Sequence, residues 1–231
     1  MSWIYFIISN PSMPSELNSE SLVETAHKEL IRRFVTLELP PGSVWSEVEL
    51  SNALGIGRTP VREALQRMAS DQLVTVIKRA GIMISKVSIQ DQIFVLEARR
   101  ELERLVSLRA AKLALPDDRE QLSALADAIE DAGNQGDVLA YLKFHFEIKR
   151  FVTQCARNPY AARALSPLHT LSQRFYFVHH RSFNNLDVVG RAHANLTRAV
   201  VSGDEAAVLK HSAAVSDIAD QFTRSLLLSS T

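Results

Sequence analysis

The sequence predicts a mainly helical protein: an N-terminal winged helix-turn-helix with a small two-stranded β wing, followed by an all-α antiparallel helical bundle. Residues 40–85 combine capping signals for two short helices with a β-branched, glycine-punctuated segment. Residues 89–228 repeat apolar side chains at spacings of three and four. Turn-forming residues predict breaks between the helices at Leu115–Asp117, Gly133–Gly136, Asn158–Pro159, Ser166–Pro167, Asn184–Asn185 and Ser202–Asp204. We therefore expect a flexible tail over 1–20, the winged unit over 21–86 and the helical unit over 89–228.

The first helix of the winged unit is marked at both ends. Ser46 is followed three residues later by Glu49, the pattern of a capping box in which each side chain bonds to the other residue's backbone N–H. Gly55 suits the left-handed conformation that commonly ends a helix. These signals predict a short helix over 47–54 that ends in a tight turn.

The second helix begins directly after that turn. Thr59 suits the N-cap position, and Pro60 suits the first helical position because the N–H that it lacks has no partner there. Val61, Leu65 and Met68 share one face and are expected to pack on the first helix. The two helices together have the spacing of a helix-turn-helix.

Cationic side chains lie at the start of this second helix and at the tip of the wing. Arg58 and Arg62 face away from the apolar side, where guanidinium groups can bond to guanine edges and the free backbone N–H groups can bond to phosphate. The wing is predicted as strands over 73–77 and 82–85, with Lys78 and Arg79 in the turn between them. A structural domain with surface arginines is the alternative interpretation.

Together these residues resemble the GntR family of bacterial regulators. The segments that carry the resemblance are Pro41-Gly42, Ser46-Glu47, Leu50, Leu54-Gly55, Arg58-Thr59-Pro60-Val61-Arg62-Glu63-Ala64-Leu65 and Leu73-Val74. The operator contacts that the resemblance implies are Arg58, Thr59, Pro60 and Arg62. It also places the wing-tip Gly81 close to the minor groove. Many members carry arginine where this chain has Val48, so one base contact is expected to be missing.

The second half resembles the FCD-type effector domain of the FadR-like subgroup. The matching segments lie at 97–111, 158–160 and 191–207. In many such domains an Asp and three His bind a divalent metal, which in turn holds an organic carboxylate. The resemblance therefore implies a small-molecule site in the centre of the bundle.

The metal-binding pattern of the family is altered in this chain. One alignment places His145 at the Asp position and Lys149 at the first His position, whereas a second makes His145 the histidine. His193 matches a ligand in place. The last ligand position falls on Val215, with His211 one turn earlier.

Three interpretations of the altered pattern stay open. In the one that we favour, no metal is bound and Lys149, beside His193, holds a carboxylate directly. In the second, His145, His193 and His211 bind zinc, nickel or manganese with shifted geometry. In the third, these are ordinary histidines and a solvated lysine. The resemblance also places Arg99 at the cavity, whereas a surface ion pair with Glu103 is its alternative role.

Composition narrows the function classes. Cys155 is the only cysteine, so an internal disulfide and a cysteine-based zinc site are both excluded. Net charge is zero, and residues 21–86 hold nine Lys or Arg against seven Asp or Glu, so the expectation of DNA binding rests on the motif rather than on charge. The apolar run at 3–8 is too short to span a bilayer. We expect a cytoplasmic protein without membrane contact.

The function expected from these features is that of a ligand-responsive transcription regulator and not of an enzyme. Its partners would be double-stranded DNA with a palindromic operator, a small effector that is a carboxylate or related metabolite, and a second copy of the chain. The alternatives are a helical metal-dependent enzyme and a protein-binding scaffold. No phosphate-binding glycine loop or nucleophile elbow supports the enzyme.

Overall fold

The computed structural model describes residues 21–228, and the predicted tail over 1–20 lies outside them. The chain divides into two compact units, the first ending at Val87 and the second beginning at Ser88. The first contains a winged helix-turn-helix and the second a helical bundle, which confirms the predicted fold class. Within residues 21–228, no helix has both the length and the apolar character needed to cross a bilayer.

Over residues 21–87, the first unit combines three helices with a small antiparallel sheet. Its elements are α1 (Leu22–Val35), β1 (Val44–Trp45), α2 (Glu47–Leu54), α3 (Arg58–Ser70), β2 (Val74–Ile77) and β3 (Gly81–Ile84). Its core is formed by Leu30 and Phe34 of α1, Leu50 of α2 and Leu65 and Met68 of α3, all of which are buried. This packing orients the opposite face of α3 toward solvent.

The sheet has one more strand than the predicted two-stranded wing. Its order is β1-β3-β2, with Val44 opposite Met83 in one pair and Thr75 opposite Met83 in the other. A two-residue strand is too short to show apolar alternation, so the sequence contained no signal for β1. The extra pairing ties the wing to the residues directly before α2.

The capping signals of α2 are confirmed. The Glu49 backbone N–H donates to Ser46 Oγ at 3.1 Å, and the Ser46 N–H donates to Glu49 Oε2 at 2.7 Å. Gly55 ends the helix in the left-handed conformation, with φ of 66°.

The prediction that Thr59 caps α3 is wrong, because the helix begins at Arg58 with Gly57 at the N-cap. The first intrahelical bond runs from the Val61 N–H to the Gly57 carbonyl at 3.4 Å. The N–H groups before Val61 have no intrahelical acceptor, so Pro60 is tolerated at the third helical position as well as at the first. Glycine is also an acceptable N-cap residue.

The second unit, as far as residue 228, is a bundle of six α-helices with one short 3₁₀ turn at His180–Ser182. The helices are α4 (Ile89–Leu113), α5 (Pro116–Asn134), α6 (Val138–Cys155), α7 (Pro159–Val178), α8 (Leu186–Ser202) and α9 (Glu205–Leu228). The breaks predicted near residues 116, 135, 159, 185 and 203 lie between these helices. The break predicted at Ser166–Pro167 is wrong.

Pro167 lies inside α7, which continues for another eleven residues to Val178. An internal proline removes one backbone hydrogen bond and disfavours the helix. Buried side chains lie on both sides of it, Leu165 before and Ser172 and Phe175 after. Tertiary packing of this face therefore outweighs the local preference of proline.

Helices α5 and α8 pass each other at unusually close range. A Cβ added to Gly190 would lie 2.9 Å from the Ile129 carbonyl oxygen and 3.2 Å from Gly133 Cα. A Cβ added to Gly133 would lie 2.8 Å from the Leu186 carbonyl oxygen. This glycine contact sets the position of α8, which carries His193 three residues after Gly190.

Candidate operator-binding surface and effector cavity

The predicted operator-contacting residues of α3 lie at its exposed start. Arg58, Thr59 and Arg62 are exposed and Pro60 is half-buried, whereas the intervening Val61 is fully buried. The buried side chain anchors the helix while its neighbours face solvent. This arrangement leaves two guanidinium groups and the free N–H groups of the first turn available to a ligand.

Arg62 has a partner that the sequence analysis missed. Its Nη2 lies 2.8 Å from Glu47 Oε2, and its Nε donates to the same carboxylate at 2.9 Å. Because half of the Arg62 side chain is exposed, this ion pair contributes little to stability. The ion pair orients the Arg62 side chain, and because the pair is weak, a contact with DNA can replace Glu47.

The wing tip exposes Lys78 and Arg79. Gly81 follows with φ of 117°, and a Cβ there would lie 2.4 Å from the Trp45 carbonyl oxygen. Glycine is therefore required at this position by the pairing of β3 with β1, independently of any contact with a minor groove.

The helical unit encloses a cavity of about 610 Å³. Four of the five predicted effector residues line it, namely Arg99, His145, Lys149 and His193. The fifth, His211, is not among the described residues that line it, whereas Val215, one turn further along α9, is. The volume lies within the usual range for small-molecule sites.

Glu103 connects the polar side chains on one wall. Its Oε1 accepts hydrogen bonds from Arg99 Nη2 at 2.7 Å and Nε at 3.0 Å, and lies 3.0 Å from His169 Nε2. Its Oε2 accepts from Lys149 Nζ at 2.7 Å. We call these four residues the Glu103 cluster. Arg99 and Glu103 thus form the i,i+4 pair that the sequence suggested, but at a buried wall.

Burial and charge set the protonation states of the cluster. Burial alone would raise the pKa of Glu103, but the cations of Arg99 and Lys149 hold that pKa well below its usual value. Burial lowers the pKa of Lys149, and Glu103 opposes this shift. The 2.7 Å distance between Lys149 Nζ and Glu103 Oε2 is that of a charged pair.

The two histidines of the cavity are neutral. Burial lowers the pKa of His193 to about 3, with Lys149 adding to the shift. Burial also lowers the pKa of His145 well below its usual value. Their rings pack edge to face, with centroids 4.5 Å apart, and His145 Nδ1 is buried without a hydrogen-bond partner.

These residues do not fit the divalent metal that the family pattern implies. Within residues 21–228, no group of three or more His, Cys, Asp or Glu is arranged to hold a metal ion. His145 and His193 could supply two imidazoles, but Lys149 brings a positive charge beside them, and Glu103 is already bonded to cations. Val215 at the final ligand position has no donor atom.

Helix α7 brings to the cavity region His169, for which no role was predicted, and Tyr176, for which a solvated face was favoured over a place at the cavity. His169 bonds to Glu103, and Tyr176 lines the cavity. Both share a helical face with Leu165 and Ser172, which are fully buried. That spacing was a usable signal, but the presumed break at Pro167 hid it.

Two family models match the chain, one on each unit. Residues 17–84 match the bacterial regulatory proteins of the gntR family, and residues 94–215 match the FCD domain. The FCD match alone spans more than half of the sequence.

Relatives and solved structures extend the likeness. The transcriptional repressor GlaR of Escherichia coli K12 is 32% identical over 168 residues, which cover 67% of this chain and 73% of GlaR. An uncharacterised HTH-type regulator of Agrobacterium vitis is 32% identical over 114 residues, or 49% of this chain and 67% of that protein. The solved structure of McbR/YncC from E. coli aligns with a TM-score of 0.78 at 19% identity, covering 90% of this chain and 99% of that one. At that identity, the structural match supports the fold alone.

Proposed function

Because the chain belongs to the GntR family of bacterial transcription regulators and carries its FCD domain, we propose that this DNA-binding regulator binds a palindromic operator as a homodimer. We assign DNA binding to residues 21–86, and dimerisation and effector binding to residues 89–228. The effector is a small organic carboxylate held in the cavity of the helical unit. The sign of regulation is repression, the role for which the relative GlaR is named.

The proposed operator contacts divide between two grooves. The start of α3 enters the major groove, where guanidinium groups can make two hydrogen bonds to guanine. The wing reaches the adjacent backbone or minor groove. The contacts assigned in this way are Arg58, Thr59, Pro60 and Arg62 on α3, and Lys78, Arg79 and Gly81 on the wing.

Homodimerisation follows from affinity and symmetry. The first unit has only a small excess of positive charge within residues 21–86, so a single copy has little non-specific attraction to phosphate. Two copies that read half-sites about one helical turn apart combine their base contacts. Effector binding then changes operator affinity through a coupling free energy of about 1–3 kcal/mol.

One observation supports a carboxylate effector above all others: among the residues of 21–228 that line the cavity, two buried cations, Arg99 and Lys149, share a single buried carboxylate, Glu103. A buried charge without compensation is costly, so an anion that enters the cavity is favoured. Lys149 therefore takes the role that the metal has in the family pattern, and binds the carboxylate directly. His145 and His193 complete the proposed site.

The DNA-binding part is tested with the double variant Arg58→Ala/Arg62→Ala on duplexes selected from a random library. Loss of two guanine contacts at about 1–3 kcal/mol each is expected to abolish specific binding. Arg67→Ala is the matched control, since Arg67 is equally exposed on α3 but lies in its last turn, paired with Glu24. Specific binding by the folded double variant would contradict the assignment, as would a monomer in sedimentation analysis of the operator complex.

The effector-binding part is tested by a thermal-shift screen of small carboxylates, each with and without divalent metals. A ligand at 100 times its Kd stabilises the native state by about 2.7 kcal/mol and raises Tm. Lys149→Met is expected to remove this rise. Lys143→Met on the same helix is the control and is expected to keep it, because Lys143 does not line the cavity. A rise that requires a metal would contradict the proposed direct contact.

A further inference from the structure

The Glu103 cluster carries an unbalanced charge inside the helical unit. Arg99 and Lys149 are cations with 4% and 8% of their surfaces exposed, and Glu103 is their shared anion. His169 and the cavity histidines have pKa values lowered mainly by burial, so they add no charge at neutral pH. The buried cluster therefore has a net charge of +1.

The remaining charged residues of the cavity lining do not change this balance. Glu97, Arg100, Asp220 and Arg224 contribute two cations and two anions. Arg224 Nε bonds to Asp220 Oδ2 at 2.7 Å, and both arginines are about half exposed. Water screens these groups, whereas the buried cluster is screened much less.

Hydrogen-bond capacity remains on the two buried cations. Lys149 has three N–H donors and gives one to Glu103. Arg99 gives Nε and Nη2 to Glu103, and its guanidinium also interacts with the Tyr176 hydroxyl, but its buried Nη1 makes no hydrogen bond of regular geometry. Both oxygens of Glu103 are occupied. The cluster thus lacks one acceptor group with a single negative charge.

We propose that Glu103 is an internal counter-ion that sets the charge of the effector at −1, so that the site selects monocarboxylates over dicarboxylates. This inference rests on the proposed function and adds the selecting residue to it. A monocarboxylate brings the buried charge to zero, whereas a dicarboxylate leaves an excess negative charge in a poorly solvated enclosure. Glu103 acts through Arg99 and Lys149 and is therefore a positioning residue.

The rest of the cavity wall favours an apolar body on the same ligand. Phe183 and Phe222 stack with ring centroids 4.5 Å apart, and Tyr141 and Tyr176 lie within 6.0 Å of them. All four rings line the cavity. Aromatic and aliphatic monocarboxylates fit this combination of one cationic corner and a ring-lined wall.

The test compares ligands matched in size and different in charge. Binding of benzoate, terephthalate and benzamide, and of pentanoate, glutarate and pentanamide, is measured by calorimetry on the full chain at neutral pH. The wild type is expected to bind each monocarboxylate at least tenfold more tightly than its dicarboxylate and its amide. Glu103→Gln raises the net charge of the cluster to +2, and the preference for the monocarboxylate over the dicarboxylate should fall at least tenfold.

Glu101→Gln is the matched control, since Glu101 is an exposed residue of α4 that does not line the cavity. Its preferences should equal those of the wild type. Lys149→Met provides a second measurement if Glu103→Gln fails to fold. It brings the cluster to zero charge, and the preference for benzoate over benzamide should then fall at least tenfold.

The outcomes separate the two proposals. If the wild type binds monocarboxylates and the folded Glu103→Gln variant keeps the same preference, the role of Glu103 is refuted and the proposed function stands. An unchanged preference for benzoate over benzamide in Lys149→Met refutes the inference and also contradicts the proposed direct contact of Lys149 with the carboxylate. If neither carboxylate series binds to the wild type, the proposed function fails and this inference fails with it.

Discussion

Substitution of Gly190 by alanine tests whether the glycine contact between α5 and α8 holds the bundle together. The added Cβ would lie 2.9 Å from the Ile129 carbonyl oxygen, against an ordinary contact of at least 3.4 Å. The obstacle is backbone, which cannot rotate away as a side chain can. The helices must therefore separate locally by about 0.5 Å.

The expected cost is the difference between two opposing effects. Overpacking of a well-filled interior costs about 1–3 kcal/mol. Alanine is favoured over glycine inside a helix by about 1 kcal/mol, which offsets part of this cost. We expect a net loss of up to about 2 kcal/mol, which for a chain of this length lowers Tm by up to roughly 8 °C.

Thermal and urea unfolding of Gly190→Ala measure this loss of stability. Arg191→Ala is the control, since Arg191 is exposed on the same helix and its replacement should change stability by less than about 0.5 kcal/mol. Gly133→Ala and the double variant complete a mutant cycle. One separation of the helices relieves both contacts, so the double variant should lose less than the sum of the single losses. A more stable Gly190→Ala variant would refute the argument from close packing, and additive losses would refute the shared contact.

Two further predictions concern the pH dependence of stability and the wing. Because the pKa of His193 falls from 6.5 to about 3 on folding, the unfolded chain binds more protons than the folded chain between these pH values. The contribution of His193 to the free energy of unfolding should therefore be constant above pH 6.5 and should fall by up to about 1.4 kcal/mol per pH unit below it. Urea titrations at several pH values should show this slope reduced by one proton in His193→Asn. Gly81→Ala forces a Cβ to 2.4 Å from the Trp45 carbonyl oxygen, so this substitution should destabilise the wing by about 2 kcal/mol or more. Operator binding should weaken, whereas the helix content measured by circular dichroism should stay unchanged. Wild-type affinity in Gly81→Ala would show that the wing contributes no contact.

Structure encoded by neighbouring residues could be predicted from the sequence. The capping box of α2 needs only Ser46 and Glu49, and the left-handed ends at Gly55 and Gly203 each need one glycine. Structure that depends on distant partners could not. Strand β1 exists because it pairs with β3, nearly forty residues later in the chain.

Proline misled the prediction where packing, rather than a turn, explains it, and glycine did so in part. The break predicted at Gly133–Gly136 is confirmed because α5 ends at Asn134, but Gly133 itself lies in the last turn of α5, where the absence of a side chain admits α8. Pro167 was taken as a break, yet α7 continues through it. The same residue type can mark a turn or a site of close packing inside a helix, and only the partner helix distinguishes these two roles.

The candidate site was predictable where spacing along one helix decided it. Arg99 and Glu103 are four residues apart and so share a face, as the sequence indicated. The position of Lys149 beside this pair depends on how α4 and α6 pack, which no local pattern specifies. His169 was missed because the break predicted at Pro167 hid the helical spacing of α7 that brings it to Glu103.

The altered metal-binding pattern is better explained as a coupled pair of charges than as the loss of a ligand set. A lysine buried at position 149 without an anion would be costly, and Glu103, paired with it at 2.7 Å, removes most of that cost. Arg99 is then a second cation on the same carboxylate, and this excess of positive charge is the feature that attracts an anion. Replacing Lys149 alone by histidine would therefore not recreate a metal site, because Glu103 would stay engaged with Arg99 and Val215 would still supply no ligand. Charge compensation within the cavity, rather than coordination, is the arrangement that this set of side chains supports.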